Sequence, residues 1–149
     1  LPVLLHSSTF HLEPFFTWSG AWRPVQLLLA LGAIALFAGG GRHYDLSQFL
    51  GTRQITEHES RNGLTESGEL DKSGILGVVR HPWYSGGILI IWARPIDKAV
   101  LVTNLVLTAY LILGTVLEER KLVAEFGDEY REYQERVPML VPGAKWKRL

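Results

Sequence analysis

The chain has 149 residues, 47% of them hydrophobic and 20% charged, with fifteen Lys and Arg balanced by fifteen Asp and Glu. A mean hydropathy of +0.11 is high for a soluble domain with that many charges, and it requires that they be segregated from apolar runs. The absence of cysteine excludes a disulfide framework, a thiolate nucleophile and a Cys-based metal site, and acids interleaved with bases leave no nucleic-acid footprint.

The opening stretch to Phe16 begins at Leu1 and lacks the basic start and cleavage site of a signal peptide. The expectation is a chain missing its natural start, with further membrane helices ahead of it. From Val25 to Gly41 only Gln26 is strongly polar. At roughly 1.5 Å per residue this run approaches the ~30 Å hydrocarbon thickness, which predicts a transmembrane helix over 22–41. Residues 42–80 follow as a cytoplasmic loop, polar from Gly51 to Ser73, with Tyr44 and Phe49 as interfacial anchors.

A helical hairpin is predicted over 81–120. Its entry is Arg80-His81-Pro82-Trp83-Tyr84-Ser85-Gly86, with Pro82 suited to a first helical turn. The apolar run Tyr84 to Ala93 rises only ~15 Å as a helix, so it needs a continuation around Ile96 or a bent, half-buried path. Pro95 and Asp97 suit the turn. The second arm, Ala99 to Leu117, is interrupted only by Thr and Asn104, and Glu118-Glu119-Arg120 follows it. Beyond it, in the cytoplasmic C-terminal helix and tail of 121–149, Phe126, Tyr130, Tyr133 and Val137 form an apolar stripe on a helical pattern running from Glu118 to Val137. Such a stripe is a packing face, a bilayer-lying face or the roof of a pocket. Pro138 and Pro142 end the helix, and Lys145, Trp146, Lys147 and Arg148 suit an anionic leaflet.

Charge placement gives the topology. Twelve Lys and Arg fall in 42–80 and 118–149, and three, Arg23, Arg94 and Lys98, fall on the other side. That asymmetry places the long loop and the tail in the cytoplasm. The five histidines, His6, His11, His43, His58 and His81, show no metal-ligand spacing, and no metal is expected. A polar cluster of Arg, His and paired Glu at the membrane edge is costly to hold there, which makes it the candidate functional site. The plainer readings are that Glu118, Glu119 and Arg120 are snorkelling charges at a helix exit and that His81 caps a helix start.

Arg-His-Pro-x-Tyr-x-Gly, a hairpin, Glu-Glu-Arg, then Phe-Gly-x-x-Tyr-x-x-Tyr and Val-Pro together resemble the membrane methyltransferase superfamily of isoprenylcysteine carboxyl methyltransferase and phospholipid methyltransferase. Trp92-Ala93, Thr108-Ala109-Tyr110, Leu117-Glu118-Glu119-Arg120 and Val137-Pro138-Met139-Leu140-Val141-Pro142 look most like its methanethiol S-methyltransferase, or NnrU-like, branch. The likeness covers 76–142 strongly and Trp22 to Gln54 weakly. It departs in the short first arm, in Ser85 where a bulkier apolar residue is usual, and in the helices expected ahead of Trp22.

The resemblance implies an all-α, polytopic integral membrane helix bundle with a C-terminal hairpin and a cytoplasmic amphipathic helix, in the bacterial inner membrane. It implies S-adenosylmethionine as methyl donor, entering from the cytoplasm, with His81, Pro82, Tyr84, Gly86, Glu118, Glu119, Arg120 and Tyr130 framing the donor site. Arg80, His81 and Glu119 are its catalytic candidates. The residue types agree with a cationic donor carrying an amino acid end: Glu119 attracts the ammonium, Arg80 or Arg120 pairs the carboxylate, and Tyr84 or Trp83 stacks on the adenine or the cation. Methyl transfer needs alignment and exclusion of water rather than a covalent nucleophile, and a thiol acceptor gains from losing its proton to His81 or a Glu. A small thiol is the favoured acceptor, reached through the membrane, with a prenylcysteine carboxylate or phospholipid amine next. Membrane lipid is the surrounding partner, and the oligomeric state is left open. A non-catalytic membrane scaffold and an NADPH-dependent enzyme like the sterol reductases are the readings of another class.

Overall fold

A computed structural model describes residues 13–41 and 70–144. The predicted anchors Tyr44 and Phe49, most of the loop that carries them, and the basic tail from Lys145 lie outside the described residues. The described residues form four α-helices: α1 Arg23–Gly40, α2 Pro82–Trp92, α3 Lys98–Phe126 and α4 Asp128–Arg136. A 3-10 turn, Gly20–Trp22, leads into α1, and another, Gly74–Gly77, precedes α2. The described residues are otherwise irregular, apart from one antiparallel bridge between Phe16 and Ile96.

Helices α1 and α3 are long and apolar enough to cross a membrane. Helix α3 is polar inside and apolar outside. Its buried residues are Asn104, Thr115, Glu119 and Leu122, while Val102, Leu105, Val106, Leu113 and Leu117 are exposed. On α1, Leu27, Leu28, Leu31 and Ile34 are exposed in the same way. A core helix of a soluble protein shows the opposite arrangement. Contiguous exposed apolar surface around a polar interior is what a lipid solvent selects.

Helix α2 is the middle layer, antiparallel to both neighbours. Against α1 the approach is close: a Cβ on Gly40 would lie 2.3 Å from the Trp83 ring, and one on Gly86 would lie 3.1 Å from Phe37. On the other side Tyr84 lies over Gly114, Trp92 Nε1 donates to Thr108 Oγ1 at 3.0 Å, and Asn104 Nδ2 donates to the Ile91 carbonyl at 2.9 Å.

These contacts explain how so short an arm ends. Eleven residues rise only ~16 Å, so the C-terminal carbonyls of α2 need partners where water is scarce. Asn104 serves Ile91, Gln26 Nε2 serves Ala93 at 2.8 Å, Trp18 Nε1 serves Arg94 at 3.0 Å, and Ile96 exchanges two main-chain bonds with Phe16. The path bends and continues through Ile96, and Asp97 then caps α3 by accepting from the Val100 amide at 2.8 Å.

The helix predicted as continuous from Glu118 to Val137 is broken. Helix α3 runs past the Glu-Glu-Arg triplet to Phe126, and Gly127 turns the chain at φ 58°, a conformation that favours glycine. Helix α4 folds back so that Tyr130, Tyr133 and Val137 pack with Leu70 and Leu122, with Val123 and Phe126 at the margin. The aromatic stripe is thus a packing face, and it fixes α4 over the end of α3.

Candidate functional site at the membrane edge

Pro82 opens α2, which leaves Arg80 and His81 in irregular chain just before it. The segment after α4 straps them down. The Arg80 amide donates to Pro138 O at 3.0 Å, the His81 amide to Met139 O at 3.2 Å, and Ser85 Oγ to Leu140 O at 2.7 Å and His81 O at 2.9 Å. Arg80, His81 and Ser85 are all buried.

Glu119 is the hub. Arg80 Nε and Nη2 donate to its Oε1 and Oε2, each at 2.8 Å, in a bidentate pair. Tyr130 Oη donates to Oε1 at 2.8 Å, His81 Nε2 lies 2.7 Å from the same oxygen, and Gln134 Nε2 donates to Oε2. The remaining arm of the guanidinium, Nη1, donates to the carbonyls of Gln134 and Val137. An ion pair as buried as this one persists only when its lone pairs and protons are so satisfied.

Burial, and then the charge of Glu119, pushes the Tyr130 phenol up, so it stays a neutral donor. Burial likewise raises Tyr133, whose hydroxyl donates to Leu76 O at 2.5 Å.

The neighbouring carboxylate differs. The side chain of Glu118 is 29% exposed against 8% for Glu119. The Tyr84 hydroxyl is within hydrogen-bonding reach of Glu118, and the Tyr84 ring meets His81 edge-on at 5.7 Å between centroids. Glu118 Oε2 faces His81 Nδ1 at 3.7 Å, too far for a hydrogen bond, and Nδ1 has no hydrogen-bond partner among the described residues.

Comparison with known proteins decides the family. The chain is 41% identical over 107 residues to methanethiol S-methyltransferase 1 of Bradyrhizobium diazoefficiens, covering 71% of this chain and 35% of that protein. It is 45% identical over 69 residues to the methanethiol S-methyltransferase of Pseudomonas deceptionensis, covering 46% and 26%. With the protein-S-isoprenylcysteine O-methyltransferase of Schizosaccharomyces pombe it shares 30% identity over 119 residues, covering 76% and 48%. The chain belongs to the membrane methyltransferase family. It spans about a third of the first of these relatives and about half of the S. pombe protein. No family model and no solved structure matches it.

Within this family member, the structure gathers Arg80, His81, Tyr84, Glu118, Glu119 and Tyr130 into one cluster at the junction of α2, α3 and α4. Pro82 and Gly86 lie buried against α1, where Pro82 meets Gly40 and Gly86 meets Phe37 and Ala33. Arg120 is exposed and takes no part in the hydrogen bonds of the cluster, as a snorkelling charge would. Glu119 is no snorkelling charge, being buried, and the His81 side chain makes no capping bond. The carboxylate expected to attract an ammonium, Glu119, has both oxygens held by protein donors, while Glu118 keeps the more open carboxylate.

Sequence reasoning passed over Gln134, and it quoted Val137–Leu140 for the resemblance without giving that segment a part in the site. A signal for Gln134 existed, because it stands four residues after Tyr130 and so shares its helix face. Nothing in the sequence announced that Ser85, the departure from the methanethiol branch, would hold the strap to α2.

Proposed function

We propose that this chain is an S-adenosylmethionine-dependent methyltransferase acting on a small thiol, with a lipophilic acceptor such as a prenylcysteine as the second choice. The reading is supported by the names of the relatives and by one structural observation: Glu118, a partly exposed carboxylate, stands beside a densely hydrogen-bonded Arg80–Glu119–Tyr130–Gln134 network. An anion so placed fits a donor that carries an ammonium and a sulfonium, and Tyr84 beside it offers an aromatic face to the cation. Exposed Arg120 is a cation for the donor's carboxylate.

When bound, the donor supplies an electrophilic methyl group. The protein's own work is to hold donor and acceptor in line and to exclude water. The Glu119 hub fixes the loop ahead of α2, the end of α3 and α4 relative to one another, which is the rigidity that alignment needs. The apolar exposed faces of α1 and α3 suit delivery of a hydrophobic acceptor from the bilayer. The Lys and Arg excess in 42–80 and 118–149 supports a cytoplasmic position for this edge, with the donor entering from that side.

The test is calorimetric titration of the detergent-purified chain with S-adenosylhomocysteine, with NADPH as the control. Binding to S-adenosylhomocysteine that weakens at least tenfold in Glu118→Gln, with helicity unchanged, is the expected result. Binding to NADPH alone would assign a reductase, and binding to neither by a folded sample would overturn the reading that this chain by itself holds the donor site.

A further inference from the structure

We propose that His81 and Glu119 form a base and its orienter, with Nδ1 of His81 accepting the proton of the acceptor thiol. The proposal rests on the thiol-methyltransferase reading above. Its starting point is the hydrogen bonding of Glu119. A carboxylate that receives the Nε and Nη2 protons of Arg80 is ionised and only accepts, so the proton shared at 2.7 Å belongs to Nε2 of His81. In the neutral ring, Nδ1 then carries the lone pair.

That lone pair is fully buried, has no hydrogen-bond partner among the described residues, and faces a second acceptor, Glu118 Oε2, at 3.7 Å. The 3.7 Å between these acceptors admits a proton but no sulfur, so the thiol reaches Nδ1 once the partly exposed Glu118 side chain swings aside. A histidine retained only to anchor Glu119 needs Nε2 alone. The lone pair at Nδ1 is the excess that structure does not explain and base catalysis does. A carboxylate fixing the tautomer of a basic imidazole from its far side is a recurring catalytic arrangement.

The charged and titratable groups around the ring are Glu118 and Glu119 from α3, Tyr84 from α2 and Arg80 ahead of α2, with Tyr130 of α4 reaching Glu119. In the reaction, the S–H bond breaks, its proton goes to Nδ1 and its electron pair stays on sulfur. The thiolate forms a carbon–sulfur bond to the donor methyl as the old sulfonium–methyl bond breaks, and that bond's electron pair neutralises the sulfonium. The imidazolium left between two carboxylates returns its proton to water.

Methyl transfer to a series of thiols tests this, from alkyl thiols that are protonated at neutral pH to nitro-substituted aryl thiols already ionised there. In His81→Gln, kcat for alkyl thiols should fall about 100-fold further than kcat for ionised thiols, the lower end for general bases. His81 also stands in the donor-site motif, so affinity for S-adenosylhomocysteine is measured alongside, and any change in it is common to both thiol classes. An equal loss across the series overturns the proposal while leaving the methyltransferase reading intact. A wild-type chain that methylates no thiol overturns both. Nitrogen-15 NMR of the imidazole, assigned through the signal missing in His81→Asn, gives a readout independent of turnover. Protonated Nε2 with bare Nδ1 is expected at neutral pH, and either the opposite neutral tautomer or a resting imidazolium sinks the idea.

Discussion

Arg80→Met removes the cation from the hub while keeping much of the side chain's bulk. Glu119 loses two charge-assisted hydrogen bonds, each worth about 1.5–3 kcal/mol, and the carbonyls of Gln134 and Val137 lose the donor that ties them to the site. Three donors remain on the carboxylate, from His81, Tyr130 and Gln134, so the loss falls short of the simple sum. Breaking one side of a buried ion pair costs about 3–5 kcal/mol, and that range is the expectation here. Arg80→Lys should fall between this variant and wild type, because one ammonium cannot span both oxygens of Glu119 and the two carbonyls. The assay is equilibrium unfolding by SDS in mixed micelles, with Arg136→Ala as the reference. The bridge from Arg136 to Glu132 is exposed at 74% and 67%, and its loss should change stability by no more than about 1 kcal/mol. An Arg80→Met change no larger than that of Arg136→Ala would refute the view that the Glu119 hub holds the site together.

Packing gives a paired prediction: Gly40→Ala should destabilise by about 1–3 kcal/mol, because its Cβ would lie 2.3 Å from Trp83, whereas Gly87→Ala, 3.5 Å from Leu111, should be near neutral; the same unfolding assay reads both. Tyr130→Phe should cost about 1.5–3 kcal/mol at neutral pH through the lost bond to the Glu119 carboxylate. Because the folded state raises the Tyr130 phenol above its ordinary value of 10.0, wild-type stability should be intact below that pH and decline as pH rises through and above it. The phenylalanine variant should lose less over the same alkaline range, and an unchanged pH slope would count against the buried phenol.

Much of the architecture was legible in the sequence because hydrophobic length and charge are local quantities. Apolar runs with Asn104 and Thr as their few interruptions announced α1 and α3, and Pro82, Pro95 and Asp97 punctuated the hairpin. The motif residues Arg80, His81, Tyr84, Glu118, Glu119 and Tyr130 were recognisable as a set, and the structure brings them together. Three things were decided only by tertiary structure. The break at Gly127 is hidden because the residues on either side continue one helical stripe, and only folding α4 back onto Leu70 and Leu122 buries that stripe. The ending of α2 depends on Gln26, Asn104 and Trp18 arriving from 13 to 76 residues away to satisfy its carbonyls. The division of labour between adjacent glutamates was also beyond the sequence. One turn of α3 points Glu119 inward to five donors and Glu118 outward past His81, and identical side chains acquire different chemistry from the direction in which the fold turns them.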